Sequence, residues 1–339
     1  MQPLVSILIP AYNAERWISD TIQSALAQTW PRKEIIIVDD GSRDHTLSIA
    51  RRFASKNVSV VAQQNQGASA ARNKAFELCH GHYIQWLDAD DLLSPDKVTR
   101  QMAAAEELQD KRVLFSSGWG AFLYRVSRAQ FFPTSLWCDL YPVEWLFRKM
   151  GQNLHMQTAT WLVSRELTQA AGRWDTRLSF DDDGEYFCRV VLASSHITFV
   201  PGAKVFYRQP GCDRLSSIDG SDKKLESQFL SMQLHVNYLR SLEDSERTRS
   251  AVMKYLQTWL GLFLEDRMDL VRELQRLAAS LGGQLQTPRL PWKYSWIEKL
   301  FGRPTANRVR RSYNRYKSLL IRSWDKILFY LERCQPLPQ

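Results

Sequence analysis

The chain has 339 residues, 44% of them apolar and 24% charged, which is ordinary for a globular protein and leaves room for two domains or one large domain with an extension. Its five cysteines are odd in number and lack metal-ligand spacing, which argues against a disulfide framework. The formal net charge is +9, and no apolar run approaches the roughly 18 residues of a membrane span. The first residues also lack the basic segment of a signal peptide, so we expect a cytoplasmic protein.

Apolar runs of strand length alternate with helical segments in the first third of the chain. These runs end at Ile9, Val38, Val61 and Leu87, and the first is followed by a predicted helix at 14–28. Because the runs show no polar–apolar alternation, they suit parallel strands that are covered on both faces. The order of elements therefore predicts an α/β fold with a mostly parallel sheet flanked by helices.

Acidic residues follow two of these predicted strands. Asp39 and Asp40 end the second strand, and Asp88, Asp90 and Asp91 follow the fourth. An α/β sheet presents its ligand site at the carboxyl ends of its strands, and closely spaced carboxylates suit a divalent cation that holds phosphate. A D-x-D pattern alone is common by chance and equally fits a polar turn.

A helix start rich in small residues supports the interpretation of the acidic strand ends as a ligand site. Residues 65–73 combine Gly, Ala and Ser with Arg72, and a helix N-terminus of this kind favours an anion. The two acidic strand ends, taken together with this segment, therefore predict a site for a nucleotide phosphate and a metal ion.

The alternation of strands and helices is less regular after the predicted parallel sheet. A short strand is predicted at Thr158–Val163, and a pair of strands broken by a Pro-Gly dipeptide at Ile197–Tyr207. His155 is interpreted as a structural or surface residue. Three consecutive Asp residues precede a predicted helix at Tyr186–Leu192. Acidic residues stabilise a helix N-terminus, but three exceed what capping requires, which leaves a catalytic role open.

The C-terminal part divides into two segments. Residues 221–284 show apolar residues at helical spacing and are predicted to form a helical extension packed on the preceding domain. Residues 285–339 hold twelve Lys or Arg and three Asp or Glu, so this tail carries the whole net charge. Its interleaved aromatic residues suit an anionic membrane surface, although a solvated basic face or a nucleic-acid patch has a similar composition. We favour the membrane and expect no nucleic acid.

Several motifs, in this order, resemble the family 2 glycosyltransferases, which have the GT-A fold. The similarity covers about residues 3–217, and we therefore expect a GT-A catalytic domain at 1–220. The resemblance is specific for the fold and for the use of a sugar nucleotide, and it does not specify the sugar. The matching segments are Val5–Asn13, Ile37–Thr46, Asn65–Asn73, Leu87–Asp91, Trp174–Asp175 and Asp182–Arg189.

The resemblance implies that several of the matched residues bind the donor nucleotide. Pro10 and Tyr12 would belong to the nucleotide site, with Tyr12 against the nucleobase. Asp40, or less directly Asp39, would accept a hydrogen bond from the base. Arg72 would lie near the ribose and the pyrophosphate.

The remaining acidic motifs would hold the diphosphate and activate the acceptor. By the same resemblance, Asp88 and Ala89 would contact the nucleotide sugar, and Asp90 would ligate a Mg²⁺ or Mn²⁺ that bridges the diphosphate. Asp183 would be the general base for the acceptor hydroxyl, with Asp182 beside it as a further candidate. A single base opposite the leaving group implies direct displacement with inversion.

One element of the family pattern is absent. Many relatives carry a His shortly after the Tyr-Arg of the last strand, and this His can help ligate the metal. Residues 209–216 contain no His, which leaves a third protein ligand unassigned. Arg208 or Arg214 is predicted instead to stabilise the diphosphate from a closing loop.

The sequence thus predicts an inverting, metal-dependent glycosyltransferase that moves a sugar from a UDP- or GDP-linked donor to a saccharide or lipid-linked acceptor, in polysaccharide or glycoconjugate synthesis. Two alternatives stay open. A nucleotidyltransferase would favour a Gly-rich loop with Arg or Lys where residues 10–13 are Pro-Ala-Tyr-Asn. A catalytically silent scaffold of the same fold would not need both Asp90 and Asp183. We expect the protein in the cytoplasm or on the inner face of the plasma membrane.

Overall fold

A mostly parallel sheet forms the centre of the molecule in a computed structural model, which describes residues 2–209 and 221–334. Its strands are β1 (Val5–Ala11), β2 (Lys33–Asp39), β3 (Val58–Ala62), β4 (Tyr83–Trp86) and β8 (Val163–Ser164). They pair in the order β3-β2-β1-β4-β8, and only β8 runs antiparallel to its neighbour. Ile7, Ile37 and Ile84 are fully buried, so the predicted parallel sheet covered on both faces is confirmed.

The helices that connect these strands are α1 (Ile18–Leu26), α2 (Thr46–Arg51), α3 (Ala68–Leu78) and α4 (Lys97–Leu108). Helix α1 begins at Ile18, later than the predicted start at residue 14. Asn13 adopts a left-handed conformation with φ +48°, and the backbone N–H of Ala14 donates to Thr46 Oγ1 at 2.7 Å. This bond holds the chain in a loop against α2, so the helix starts only after it.

A second sheet contains β5 (Leu92–Leu93), β6 (Val113–Phe122), β7 (Gln130–Phe131) and β9 (His196–Arg208), in the order β5-β9-β6-β7. Strand β9 is continuous, whereas the sequence predicted two strands separated by Pro201 and Gly202. It pairs with β6 from end to end, and the register shifts between Ser117 and Gly118. The Pro-Gly dipeptide is therefore absorbed as a local irregularity, with φ +85° at Gly202, instead of breaking the strand.

Three helices lie between β6 and β9, namely α5 (Pro142–Gly151), α6 (Arg165–Ala171) and α7 (Asp182–Ala193). The strand predicted at Thr158–Val163 is mostly a turn. Thr158–Thr160 forms one 3₁₀ turn, in which the Gln157 side chain accepts a hydrogen bond from the backbone N–H of Ala159 at 2.6 Å. Extended structure follows this turn: Trp161 has β dihedral angles, Leu162 pairs with Phe115 of β6, and β8 then pairs with β4.

The helical extension predicted at 221–284 consists of α8 (Asp222–Leu242), α9 (Glu246–Phe263) and α10 (Met268–Ser280). Met232 of α8, Leu256 of α9 and Leu274 of α10 are fully buried in one hydrophobic cluster, which also contains Trp86 of the central sheet. These helices and the sheet therefore share a continuous core. The domain boundaries at 220 and 284 stay a prediction.

The tail forms one further helix, α11 (Trp292–Cys334), which is interrupted at Gly302 by a left-handed φ of +79°. The second half of α11 contacts the loop after β6 through Asp325, whose carboxylate accepts from Arg125 Nε at 2.7 Å and from the backbone N–H of Tyr124 at 2.9 Å. Most other side chains of this half are exposed. In the described segments, no helix combines the length and the apolar content that crossing a bilayer requires.

Candidate active site

The carboxyl ends of the parallel strands bring three predicted site residues to one edge of the sheet. Tyr12 directly follows β1, Asp39 ends β2, and Asp88 follows β4 after one residue. The register places Ala11 beside Asp39, so the ends of β1 and β2 are level. This edge is where open α/β sheets bind ligands.

Asp40 is fully engaged in holding the loop before α3. Its Oδ1 accepts from Gln63 Nε2 at 2.8 Å and from the Gln66 backbone N–H at 2.9 Å, while its Oδ2 accepts from the Gly67 backbone N–H at 2.8 Å. Gly67 has φ +94°, a conformation that favours glycine. Asp40 therefore fixes the small-residue segment that the sequence marked as a phosphate site.

Asp39 keeps one oxygen available. Its Oδ2 accepts from the backbone N–H of Ser42 at 3.1 Å, but its buried Oδ1 has no hydrogen-bond partner among the described residues. A buried carboxylate oxygen without a donor costs free energy unless a ligand supplies one. Tyr12, which is 41% exposed on the neighbouring strand end, leaves room for such a ligand. Pro10 lies within β1.

Arg72 joins the two predicted halves of the site. Its guanidinium donates to Asp88 Oδ1 at 2.8 Å and to Asp182 Oδ2 at 2.7 Å, and it lies 4.3 Å from the centre of the Trp174 ring. Burial alone would lower the pKa of Arg72, but the charges of Asp182 and Asp88 outweigh it and raise that pKa. Arg72 therefore stays charged and links the end of β4 to the start of α7.

Asp91 and Arg208 fix the loop that carries Asp90. The fully buried Asp91 accepts from the backbone N–H of Arg208 at 2.9 Å and from the Gln157 side chain. Burial raises the pKa of Asp91 well above its usual range. Arg208 Nε donates to the Asp90 carbonyl oxygen at 2.8 Å, and Arg208 also pairs with Asp20.

The position of Arg208 differs from the prediction. Arg208 ends β9 with only 2% of its surface exposed, and its guanidinium lies 4.3 Å from the Trp17 ring centre. It is thus part of the wall behind the Asp90 loop and does not belong to a closing loop. Arg214 lies outside the described residues. The support from Asp20 and Trp17 was not foreseen, because neither residue belongs to a motif.

The carboxylates of Asp88 and Asp90 are suitable ligands for a divalent cation. Asp88 and Asp90 both have partly exposed side chains, and Ala89 between them is small and buried. Within the described ranges no cluster of three His, Cys, Asp or Glu side chains forms a closed metal site. Mg²⁺ commonly takes one or two carboxylates and completes its shell with substrate phosphates and water, so two carboxylates suffice.

Asp183 lies in the first turn of α7, next to the residue that binds Arg72. Its Oδ2 accepts from Thr158 Oγ1 at 3.2 Å, and Oδ1 has no hydrogen bond to a described residue. Burial, together with the neighbouring carboxylates of Asp182 and Asp181, raises the pKa of Asp183 to about 7. A half-buried carboxylate of this kind can accept a proton near neutral pH.

Comparison with known proteins identifies the class of this domain. Residues 6–166 match the model of the family described as Glycosyl transferase family 2. An uncharacterized glycosyltransferase of Rickettsia prowazekii, RP339, is 32% identical over 199 residues, which cover 57% of this chain and 60% of that protein. The chondroitin synthase of Escherichia coli is 47% identical over 98 residues, 28% of this chain and 14% of that one. The alignments therefore span about 60% or less of these relatives.

Solved structures show the same fold at low sequence identity. S. aureus TarS 1-349 in complex with UDP-GlcNAc has a TM-score of 0.65 at 18% identity, over 82% of this chain and 81% of that one. The mannosyltransferase PcManGT of Pyrobaculum calidifontis, in complex with GDP-Man and Mn²⁺, has a TM-score of 0.52 at 17% identity, over 97% and 88% of the two chains. The fold is GT-A. Residues 6–166 are similar to the family 2 glycosyltransferases, and the resemblance found in the sequence is confirmed for this part of the chain.

Removing the guanidinium of Arg72 should destabilise the protein strongly. In Arg72→Met, the carboxylates of Asp88 and Asp182 lose their shared cation, and breaking a buried pair costs about 3–5 kcal/mol. Chemical denaturation should show this loss. The control is Arg173→Met, which removes an exposed pair with Glu77 and should cost at most about 1 kcal/mol. Equal losses in the two variants would contradict a central role for Arg72.

Proposed function

We propose that the protein transfers a sugar from a nucleoside-diphosphate sugar to a hydroxyl group of a saccharide or lipid-linked acceptor, with inversion and with the help of a divalent cation. The observation that supports the proposal is the link between Asp88 and Asp182 through Arg72, because it ties the end of β4 to the turn that carries Asp183, the residue that we assign as the base. Complexes of TarS with UDP-GlcNAc and of PcManGT with GDP-Man and Mn²⁺ support a UDP- or GDP-linked donor.

Asp39 and Tyr12 are the residues that we assign to the nucleobase. The unpartnered Asp39 Oδ1 can accept an N–H of the base, and the exposed Tyr12 ring can stack on its face. Asp40 is less suited to this contact, because it is buried and its two oxygens already accept from Gln63, Gln66 and Gly67. We therefore give the base contact to Asp39 and the loop-holding role to Asp40.

Asp90, with Asp88 beside it, would hold Mg²⁺ or Mn²⁺ at the diphosphate. The bound cation supplies positive charge that stabilises the departing nucleoside diphosphate. Arg208 positions this loop through the Asp90 carbonyl oxygen, and Arg72 keeps Asp88 in place. The two arginines therefore position the acidic loop, Arg72 through the Asp88 carboxylate and Arg208 through the Asp90 backbone.

Asp183 would activate the acceptor. Its Oδ1 is open to a hydroxyl, and the hydrogen bond from Thr158 to Oδ2 fixes the orientation of the carboxylate. One base on one side of the sugar and a leaving group on the other give a single displacement, in which the anomeric carbon inverts. The proton passes from the acceptor hydroxyl to Asp183 as the new bond forms.

The tail suggests where this reaction takes place, and we propose that α11 lies on an anionic membrane. Beyond Gly302 the helix carries an exposed apolar stripe that repeats every eleven residues, a period close to that of a straight helix and suited to a flat surface. Residues 303–332 hold eight Lys or Arg and only two acids, Asp325 and Glu332, both paired with Arg125. The stripe consists of Val309, Tyr313, Tyr316, Leu320, Trp324, Ile327 and Leu331.

Loss of the Asp90 carboxylate should remove the metal dependence of nucleotide binding. In calorimetric titrations of UDP and GDP with and without Mn²⁺, the wild type should bind one nucleotide more tightly with the metal. In Asp90→Ala, the gain in nucleotide affinity on adding Mn²⁺ should disappear. We expect this gain to be about 100-fold in the wild type, because a metal–phosphate interaction contributes several kcal/mol. The surface control Asp266→Ala should bind like the wild type. Metal-dependent binding in Asp90→Ala would refute the assignment.

The ionisation of Asp183 should control the rate of transfer. Because the base must be deprotonated and its pKa is about 7, kcat/KM should rise with pH up to about 7 and level off above it. Asp183→Asn should keep the nucleotide affinity while the rate falls by about 10²–10⁴. A pH–rate profile and single-turnover kinetics measure both effects. Unchanged transfer in Asp183→Asn would show that another group is the base.

Binding to vesicles tests the membrane proposal. Leu320→Glu places a charge on the apolar stripe, and Asn314→Glu adds the same charge to the same helix away from it. In co-sedimentation with phosphatidylserine vesicles, Leu320→Glu should bind at least about tenfold more weakly, since a Leu side chain contributes 1.5–3 kcal/mol on burial. Asn314→Glu should lose only about fivefold, the effect of one charge. Equal effects, or no binding by the wild type, would leave α11 as a solvated basic surface.

A further inference from the structure

A buried lysine near the base has no role in the mechanism described above. Lys149 lies in α5, and only 7% of its surface is exposed. Its ammonium group forms no hydrogen bond and no ion pair with any residue that the structure describes. The side chain is largely withdrawn from water, and the charge of Asp181 acts on it. A charged group in such a position normally has hydrogen-bond partners, so its three N–H donors are available to a ligand.

Lys149 and Asp183 line the same small cavity. The cavity has a volume of about 30 Å³, and its polar lining is completed by Asp181 and His155. Its apolar wall includes the buried rings of Trp145, Trp161 and Phe187. Asp183 therefore faces this cavity, which offers an acceptor hydroxyl a route to the carboxylate.

Neither acidic residue of the cavity binds the ammonium group of Lys149. Asp181 Oδ2 accepts from Ser231 Oγ at 2.7 Å, and Asp183 Oδ2 accepts from Thr158 Oγ1 at 3.2 Å. Neither carboxylate comes within ion-pair distance of the Lys149 ammonium. The gap between Lys149 and Asp183 thus leaves space for an inserted polar group.

The size and charge of the cavity decide what that group is. A water molecule needs about 10–15 Å³ of such volume, so the cavity admits about two oxygen-sized groups. A carboxylate would bring a third negative charge next to Asp181 and Asp183, against the single positive charge of Lys149. Two neighbouring hydroxyls add no charge, and each finds a partner, one donating to Asp183 and the other accepting from Lys149.

We propose that Lys149 binds the acceptor, and that the acceptor presents a vicinal diol of an uncharged sugar to this cavity. One hydroxyl is the nucleophile at Asp183, and its neighbour accepts a hydrogen bond from the Lys149 ammonium. The mouth of the cavity carries the exposed His155, whose ring lies 5.1 Å from that of Trp119, as a platform for the rest of the saccharide. This assignment rests on the function proposed above and specifies its acceptor.

The test uses methyl glycosides of neutral hexoses, their monodeoxy forms and the matching methyl uronosides as probes. Their binding is measured by ligand-observed NMR in the presence of UDP or GDP and Mn²⁺. Lys149→Met keeps the apolar stem and removes the donors, and Lys254→Met is a surface control. Nucleotide affinity and thermal unfolding are measured on the same samples, which separates a folding defect or a donor defect from an acceptor defect.

The wild type should bind a neutral glycoside more tightly than its uronoside, and one monodeoxy form should bind about tenfold or more weakly, as expected for a hydrogen bond to a charged group. Lys149→Met should bind the parent glycoside about as weakly as the wild type binds that deoxy form. Its affinity for the deoxy form should not fall further, and its nucleotide affinity should be unchanged. Preference for the uronoside, unaltered binding in Lys149→Met, or no glycoside binding by the wild type would overturn the proposal. Failure of nucleotide binding in the wild type would instead refute the donor site.

Discussion

The contact on which the site depends is the double ion pair of Arg72. Its guanidinium binds Asp88, which follows the sheet, and Asp182, which begins α7, and these residues lie far apart in the sequence. Its side chain is only 7% exposed, so both pairs are shielded from solvent. Because the same planar group holds both carboxylates, the distance between the end of β4 and the start of α7 is fixed. The donor that we propose at β4 and the base that we propose on α7 would thereby be kept in one geometry without a flexible connection.

In each of the three acidic motifs, neighbouring carboxylates have different surroundings. In each of them at least one carboxylate is bound by other parts of the protein: Asp40 holds the loop before α3, Asp91 binds Arg208 and Gln157, and Asp182 binds Ser69 and Arg72. The adjacent Asp39, Asp90 and Asp183 are the residues that we assign to the substrates. A buried carboxylate needs donors, so one member pays for the rigidity that keeps its neighbour correctly placed. Under the roles that we propose, this division would account for the extra carboxylate in each motif.

The sequence was sufficient for the parallel strands that alternate with helices, because buried β-branched runs are a local signal. The acidic strand ends, another local signal, predict the sheet edge at which we propose the site. It favoured Asp40 over Asp39 for the base contact, whereas we propose Asp39, because the choice depends on the backbone N–H groups of Gln66 and Gly67, which only folding brings near Asp40. The burial of Arg208 and of Lys149 was missed for the same reason. A positive charge at a strand end or on a helix is normally solvated, and only tertiary contacts reveal that it is enclosed.

The tail is not independent of this site. Tyr124 packs between Phe329 of α11 and Trp17, with ring centres 6.0 Å and 5.7 Å away, and the Trp17 ring in turn supports Arg208. Arg208 holds the carbonyl oxygen of Asp90, so the helix that we assign to the membrane shares a wall with the donor loop. If the apolar stripe of α11 lies on a bilayer, these contacts keep the donor loop at a fixed offset from the lipid headgroups. A lipid-linked acceptor would then reach Asp183 without leaving the surface, which is an advantage that a freely diffusing enzyme does not have.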